Sequence, residues 1–558
     1  MTLLTSLSVQ IEAAIQLTEK LILVFKHEAK LWCIPELNQI TQLELDKTQL
    51  IAERDQLLKV LNNLSVSRQP DEAELHYLHI LQKLDTELIL AKLECLIAKD
   101  PQETQHRYHR AVVLTNLGRN AEAQAEFMSV LSQDPTHYGT LIDFGNLLLS
   151  NSYRTAARSL YQQAVSLHNQ ETMGHVNLAN LLLSEAEYET AKLHYEYALR
   201  IAPQLAEAHQ GLSYALQALG DNTLAAKHRE QGFHGHSIQI YPYRGVQTAI
   251  PILIFCSAMG GNIAFKHLLD EQLFAITLLF TEYFDTNISL PPHRLIINAI
   301  GDADLCHSGL DAAETLLLDC HSPIINAPAW VKKSGRLQNV VRFSSLPDVV
   351  TPKMVQLSKV ELLSSAIAEL IANYGITFPL LLRSPGFHTG QYFLSVECFD
   401  VFYAAVKALP GEDLLVIQML NASNEQGEYH KYRVMIIDGV LYPLHLAISR
   451  HWKVHYFSAN MHDQSVSRQK EKNFLEDMTS VLGDKAINAL TCIGQMLGLD
   501  YAGIDFALTA SGEVLLFEAN ATMVVPMPEA DDKWQYRRDA VRKIQKAVKQ
   551  MLINRCQC

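Results

Sequence analysis

The sequence predicts a multidomain chain: an all-α superhelix of paired helices, then an α/β region, then an α+β region. Three observations carry that reading. Alanines recur at a fixed interval of 34 residues, at Ala123, Ala157, Ala191 and Ala225. Beyond residue 245, apolar runs of strand length alternate with helical segments. Near the C-terminal end two apolar runs, AGIDFAL and EVLLFEAN, flank a turn-like Thr509-Ala510-Ser511-Gly512.

A chain of 558 residues, 48% apolar and 19% charged, has the length for several domains and the balance of an ordinary soluble protein. The formal net charge of −14 argues against a general affinity for nucleic acid or anionic membranes, while leaving room for a local basic cleft. Nine dispersed cysteines fit free thiols in a reducing compartment. No apolar run reaches the length of a membrane span. The N-terminal stretch MTLLTSLSVQIEAAIQLTEKLILVF lacks a basic n-region and a cleavage-like site, so it reads as an amphipathic helix rather than a signal peptide. The expectation is a cytoplasmic protein.

In the front half, small residues recur again at Ala111, Gly145, Ala179 and Ser213, also 34 apart. An aromatic follows four residues after each of the first three alanines, at Phe127, Tyr161 and Tyr195. Pro101, Pro135 and Pro203 close units, Asn169 takes the equivalent place, and Gly118 and Gly220 sit at turns. Small side chains let helices approach and an aromatic fills the gap to the next unit. This pattern resembles tetratricopeptide (TPR) repeats. Repeats are expected over 71–235, four of them traceable from about residue 100, after an N-terminal helical cap over 1–70.

Between 246 and 335, PILIFCSA, RLIINAIGDAD and PIINAP read as strands and LDAAETLLLD as a helix, with another helix expected after Met259-Gly260-Gly261-Asn262. Strands alternating with helices imply parallel β–α–β layering. The glycine pair is not a GxGxxG motif and is read as turn geometry.

From 336 to 558 the order is a helix near Glu361–Asn373, a strand ending at Arg383, and a loop carrying Gly386, His388, Thr389 and Gly390. Strands YFLSVE and DLLVIQML follow, then a hairpin turning at Asp438-Gly439, a helix near Asp484–Leu497, and the hairpin bearing Asp505, Glu518 and Asn520. Glu518 and Asn520 are two residues apart, so on a strand they share a face. Carboxylate and amide oxygens so placed suit Mg²⁺. The histidine-dense segment containing His445, Arg450, His451, Lys453 and His455 is read as lining a substrate or phosphate side, and the basic amphipathic tail as packing on its own domain.

This order resembles the ATP-grasp superfamily, in particular its glutathione-synthetase-like and RimK-like carboxylate–amine ligases, over about 250–530. The resemblance implies a pre-ATP-grasp α/β domain at 246–335 and an α+β ATP-grasp fold at 336–558, binding ATP and Mg²⁺. It implies that Arg336 and Arg383 stand where lysines usually meet the nucleotide, and that Gly386, His388, Thr389 and Gly390 belong to a loop over the phosphates. Gln418, Met419 and Leu420 match the adenine hinge, Lys453 joins the phosphate set, and Arg433 matches the catalytic cation at the transferring phosphate. Asp505, Glu518 and Asn520 match the metal ligands. The departures are arginine at both lysine positions and glutamine at a hinge position commonly held by glutamate.

The implied activity is an ATP- and Mg²⁺-dependent carboxylate–amine ligase working through an acyl phosphate. The repeats would recruit a peptide or protein substrate or support self-association. Two alternatives stand beside it: phosphotransfer without ligation, and a nucleotide-binding scaffold without turnover.

Overall fold

The computed structural model describes residues 89–558, except 242, 246, 247, 319, 388, 389, 455–458, 460, 463, 529, 530 and 558. The expected N-terminal cap and the start of the repeat region lie outside the described residues, as do His388, Thr389 and His455.

After a helical segment at 89–99, four helix pairs follow: α1 (Thr104–Asn116) with α2 (Asn120–Gln133), α3 (Tyr138–Ser150) with α4 (Arg154–Leu167), α5 (Thr172–Ser184) with α6 (Tyr188–Ile201), and α7 (Ala206–Ala218) with α8 (Asn222–Phe233). The alanines and aromatics of the 34-residue pattern are the buried residues of these helices, with Ala123, Phe127, Ala157, Ala191 and Tyr195 fully enclosed. Each pair turns through a left-handed residue at the same register: Gly118, Ser152, Ala186 and Gly220, with φ of 72°, 69°, 62° and 86°. Only the outer two are glycine, so Ser152 and Ala186 adopt a conformation that costs an L-residue roughly 1 kcal/mol.

An α/β layer follows, with strands β1 (Ile238–Ile240), β2 (Ile250–Cys256), β3 (Phe274–Phe280), β4 (Leu295–Asn298) and β5 (Ile324–Ile325) in the order β1-β3-β2-β4-β5. Helix α9 (His307–Leu316) connects β4 to β5. Pairing is parallel throughout except for the edge strand β1, which runs antiparallel to β3 and comes from the connection before residue 246. The helix expected after Asn262 is only a 3₁₀ turn, Phe265–Leu268, and the FAITLLF run is a strand that the sequence reading passed over. The Asn262 side chain explains the short connection, since it clamps both backbone groups of Ser257 and holds the chain in a tight turn.

Short helices α10 (Pro328–Val331) and α11 (Arg336–Phe343) lead into the α+β region. One antiparallel sheet there has the order β7-β10-β8-β9, from β7 (Met354–Ser358), β8 (Leu380–Arg383), β9 (Phe393–Val396) and β10 (Asp413–Gln418). The helix expected near Glu361–Asn373 is split into α12 (Lys359–Leu362) and α13 (Ile367–Asn373), and these pack with α14 (Phe399–Ala408) on a small core of their own. A second sheet has the order β12-β11-β13-β14-β6, from β6 (Val349–Val350), β11 (Tyr429–Ile437), β12 (Val440–Ser449), β13 (Tyr501–Leu508) and β14 (Val514–Asn520). The β11–β12 hairpin turns at Asp438-Gly439, both left-handed, with φ of 50° and 78°, as a two-residue primed turn requires. Helices α15 (Ser465–Glu476), α16 (Met478–Leu497) and the tail α17 (Gln535–Gln557) pack on this sheet and share one continuous core with the α/β layer. Among the described residues no helix is long and apolar enough to cross a membrane.

The repeat packing makes a prediction whose sign runs against helix propensity. Alanine normally stabilises a helix interior over glycine by about 1 kcal/mol. At Gly145 and Gly211 an added Cβ would press into the buried rings of Tyr161 and Tyr195. Gly145→Ala and Gly211→Ala are therefore expected to destabilise the chain by ~1–3 kcal/mol, read as a lower midpoint in urea unfolding. An unchanged or raised midpoint would contradict the packing.

Candidate functional site

The candidate site is built around one transverse row of side chains in the second sheet. Register sets His445 of β12 opposite Arg433 of β11, Arg433 opposite Asp505 of β13, and Asp505 opposite Glu518 of β14. Lys431 stands two residues before Arg433 and so on the same face. Like charges directly opposite on a sheet repel, so Asp505 and Glu518 need cations. Arg433 grips both oxygens of Asp505, Nε to Oδ1 at 2.5 Å and a terminal nitrogen to Oδ2 at 2.8 Å. Lys431 reaches Oδ2 at 2.6 Å. Glu518 receives the Arg336 guanidinium at 2.6 Å and the Asn520 amide at 2.8 Å.

These charges decide the protonation states. Burial pushes the Asp505 carboxyl up, but Arg433 and Lys431 outweigh it and hold the group far below the ordinary carboxylate range. Glu518 is likewise raised by burial and lowered further by Arg336 and Arg383, with a net depression. His445, enclosed beside Arg433, is held well below its usual value and is neutral. Burial brings Arg383 down to about 10, helped by repulsion from Arg336.

A cavity of about 230 Å³ opens beside this row. Its walls include Asp304 from the loop after β4, Arg336 at the start of α11, Arg383 at the end of β8, Gly386 in the following loop, and Glu518 and Asn520 at the end of β14. Arg336 ties two walls together, because its backbone N–H also donates to Asp304. Arg383 donates to the Phe387 carbonyl at 2.5 Å and lies over the Phe393 ring, which fixes the root of the loop. Gly390 is left-handed, and a Cβ there would meet the Lys453 stem, so Lys453 is held against this loop near Arg383.

Of the sequence-predicted residues, the fold therefore gathers Arg336, Arg383, Gly386, Glu518 and Asn520 at one cavity, with Gly390 and Lys453 beside it. Arg433 and Asp505 lie in the adjoining row, engaged with each other, and are not among the cavity's lining residues. Gln418, Met419 and Leu420 do not line it either. The Gln418 backbone N–H is taken by the Lys353 carbonyl and its side chain accepts from the Lys353 N–H. Two participants were passed over. Lys431 was signalled only by its two-residue spacing from Arg433. Asn339 is buried at the cavity wall and donates to the Ser334 and Ala519 carbonyls, fixing the strand end that bears Glu518 and Asn520.

Asp505, Glu518 and Asn520 are hard oxygen donors on adjoining strands, the donor type Mg²⁺ prefers. The positive charge that now balances the two carboxylates comes from Arg336, Lys431 and Arg433. In donor type the set suits a hard dication, but its oxygens are already engaged. Arg433 and Lys431 hold both Asp505 oxygens, Arg336 and the Asn520 amide hold Glu518 Oε1, and Thr522 holds the Asn520 oxygen, so a dication would take the place of these partners. Among the described residues no group of three or more His, Cys, Asp and Glu side chains is gathered as a metal site.

No protein-family model and no curated protein matches the chain. Solved structures similar to it include a crystal structure of MamA, 18% identical, covering 27% of this chain and 89% of that one at a TM-score of 0.26. Pseudomonas aeruginosa PilF is 19% identical and covers 29% of this chain and 74% of its own, at a TM-score of 0.26. YrrB, described as a TPR protein with an unusual peptide-binding site, is 15% identical, covering 31% and 90% at a TM-score of 0.24. Similarity at this level carries no argument about the site.

The buried row has a pH consequence. The folded-state carboxyl of Asp505 lies below its unfolded value of about 3.9, so its stabilisation is complete above that value and is lost as pH falls further. Denaturation from pH 7 to pH 2 should therefore show a steeper acid loss in the wild type than in an Asp505→Asn, Arg433→Gln double variant, by on the order of 2 kcal/mol. Parallel pH profiles would refute this role for the pair.

Proposed function

We propose that the chain is an ATP- and Mg²⁺-dependent carboxylate–amine ligase acting through an acyl phosphate, with its helical repeats recruiting a peptide or protein substrate. The observation that carries the reading is the convergence on one cavity of two arginines, Arg336 and Arg383, with the Glu518 and Asn520 oxygens.

Phosphoryl transfer asks for positioning and charge neutralisation rather than covalent help from the protein. Arg336 and Arg383 would hold phosphate oxygens, since a guanidinium fork matches them bidentately. The loop through Gly386 and Gly390 would close over the phosphates, with Lys453 behind it. Glu518 and Asn520, with Asp505 behind them, would hold Mg²⁺, which would supply neutralising charge to the phosphate oxygens. A substrate carboxylate would attack the γ-phosphate, forming a C–O–P bond and releasing ADP. An amine would then attack the acyl carbon and expel inorganic phosphate, giving the amide. Arg433 and Lys431 would supply positive charge to both steps from the adjoining row. The concave face of a helical-repeat array suits an extended segment, which is the support for a peptide or protein substrate.

Incubation with ATP, Mg²⁺ and panels of amino acids and peptides, with ADP release as readout, tests the reading. Turnover should require both a carboxylate and an amine, and Glu518→Gln should lower it by ~100-fold or more. ADP release with a single substrate class would indicate phosphotransfer instead. Nucleotide binding with no turnover that Glu518→Gln abolishes would leave a regulatory scaffold.

A further inference from the structure

Two histidine pairs in the repeat array repeat each other one unit apart. His175 on α5 faces His194 on α6 with the two Nδ1 atoms 3.0 Å apart, and His209 on α7 faces His228 on α8 with Nδ1 atoms 2.8 Å apart. In each pair the first histidine is buried and its Nε2 lies on a backbone carbonyl, Asn169 at 3.3 Å and Pro203 at 3.0 Å. Those residues are the unit-closing positions of the repeat. A carbonyl only accepts, so Nε2 carries the proton and Nδ1 of the neutral ring presents its lone pair to the partner. The partner then donates from its own Nδ1 and can change tautomer, because it is half exposed.

The helix crossing itself does not demand histidine. The same two positions hold the ion pair Arg107–Glu126 in the first unit, and Leu141 and Leu160 in the second. Where histidine pairs do occur, the arrangement has the features of a ligand pair. Each buried ring is oriented by a hydrogen bond from its distal nitrogen to a carbonyl, the support that metal-binding histidines usually have. Two nitrogens at about 2.0–2.1 Å from a tetrahedral ion stand roughly 3.3 Å apart, so the rings must open by a few tenths of an ångström and the half-exposed partner must turn its Nδ1 from the buried ring toward a shared ion. Burial lowers the proton affinity of His175, His194 and His228, which favours the neutral rings that a metal needs.

We propose that His175 with His194, and His209 with His228, form two equivalent sites for a zinc-class transition-metal ion, each stapling the two helices of one repeat. The remaining positions at each ion are open to water, so these are exchangeable two-histidine sites rather than closed structural ones. The proposal stands apart from the nucleotide cleft and does not depend on any catalytic reading.

Calorimetric titration of the full chain with zinc sulfate, after removal of any purification tag, tests it. About two ions should bind to the wild type, one to His194→Gln or His228→Gln, and neither of these two to the double variant. Both substitutions fall on half-exposed rings, and helical circular dichroism without metal checks that each variant is folded. Zinc should also raise the thermal midpoint of the wild type and not that of the double variant. If wild type and double variant bind equal numbers of ions, or the wild type takes up none at 100 µM zinc, the proposal fails.

Discussion

The Arg433–Asp505 pair is the interaction on which the C-terminal region turns. Removing two charges from water costs several kcal/mol per ion, and geometry alone can repay it. Here a fork of two nitrogens meets both carboxylate oxygens across β11 and β13, with Lys431 on the outer oxygen. Without those cations the opposed carboxylates of Asp505 and Glu518 would drive the two strands apart. With them, the strand ends stay in register and Glu518 and Asn520 reach the cavity.

Much of the architecture was legible because close packing leaves local marks. A small residue must stand wherever a buried ring lies against a helix, both within a pair, as Gly145 against Tyr161, and between neighbouring pairs, as Gly211 against Tyr195. Strands with continuous apolar runs were equally plain. The α/β connections were not. FAITLLF was missed because a helix was expected between parallel strands, whereas Asn262 pins a tight turn by hydrogen bonds that composition does not reveal. At the site, residue types and order were readable but pairing was not. Register shifts between Arg433 and Val434, and between Asp505 and Phe506, decide who faces whom, and a one-residue slip reverses a strand's faces. Hence Lys431 was passed over, and Asp505 was read as a ligand without its two cations.

The repeat array is joined to the α/β layer by polar contacts rather than by a loose tether. Arg229 of α8 donates to the Ala258 carbonyl at 3.0 Å, and Gln217 of α7 donates to that of Met259 at 3.0 Å. Both carbonyls belong to the turn after β2, which Glu282 also braces through the Ser257 hydroxyl and the Ala258 N–H. A segment held by the last repeat would thus lie on a body whose orientation is set by hydrogen bonds to the turn at the end of a central strand.

The arginines at 336 and 383 follow from the same electrostatics. Enclosure and the neighbouring Arg336 bring Arg383 down from 12.5 to about 10. Arginine starts so high that it remains a cation at neutral pH. A lysine starts at about 10.4 and so loses its proton more readily than arginine under the same enclosure. Two lysines facing each other across this cavity would lower one another further. Arginine's planar fork also lets Arg336 hold Glu518 while its backbone holds Asp304. Arginine at 383 thus stays a cation in a cramped, partly dehydrated space.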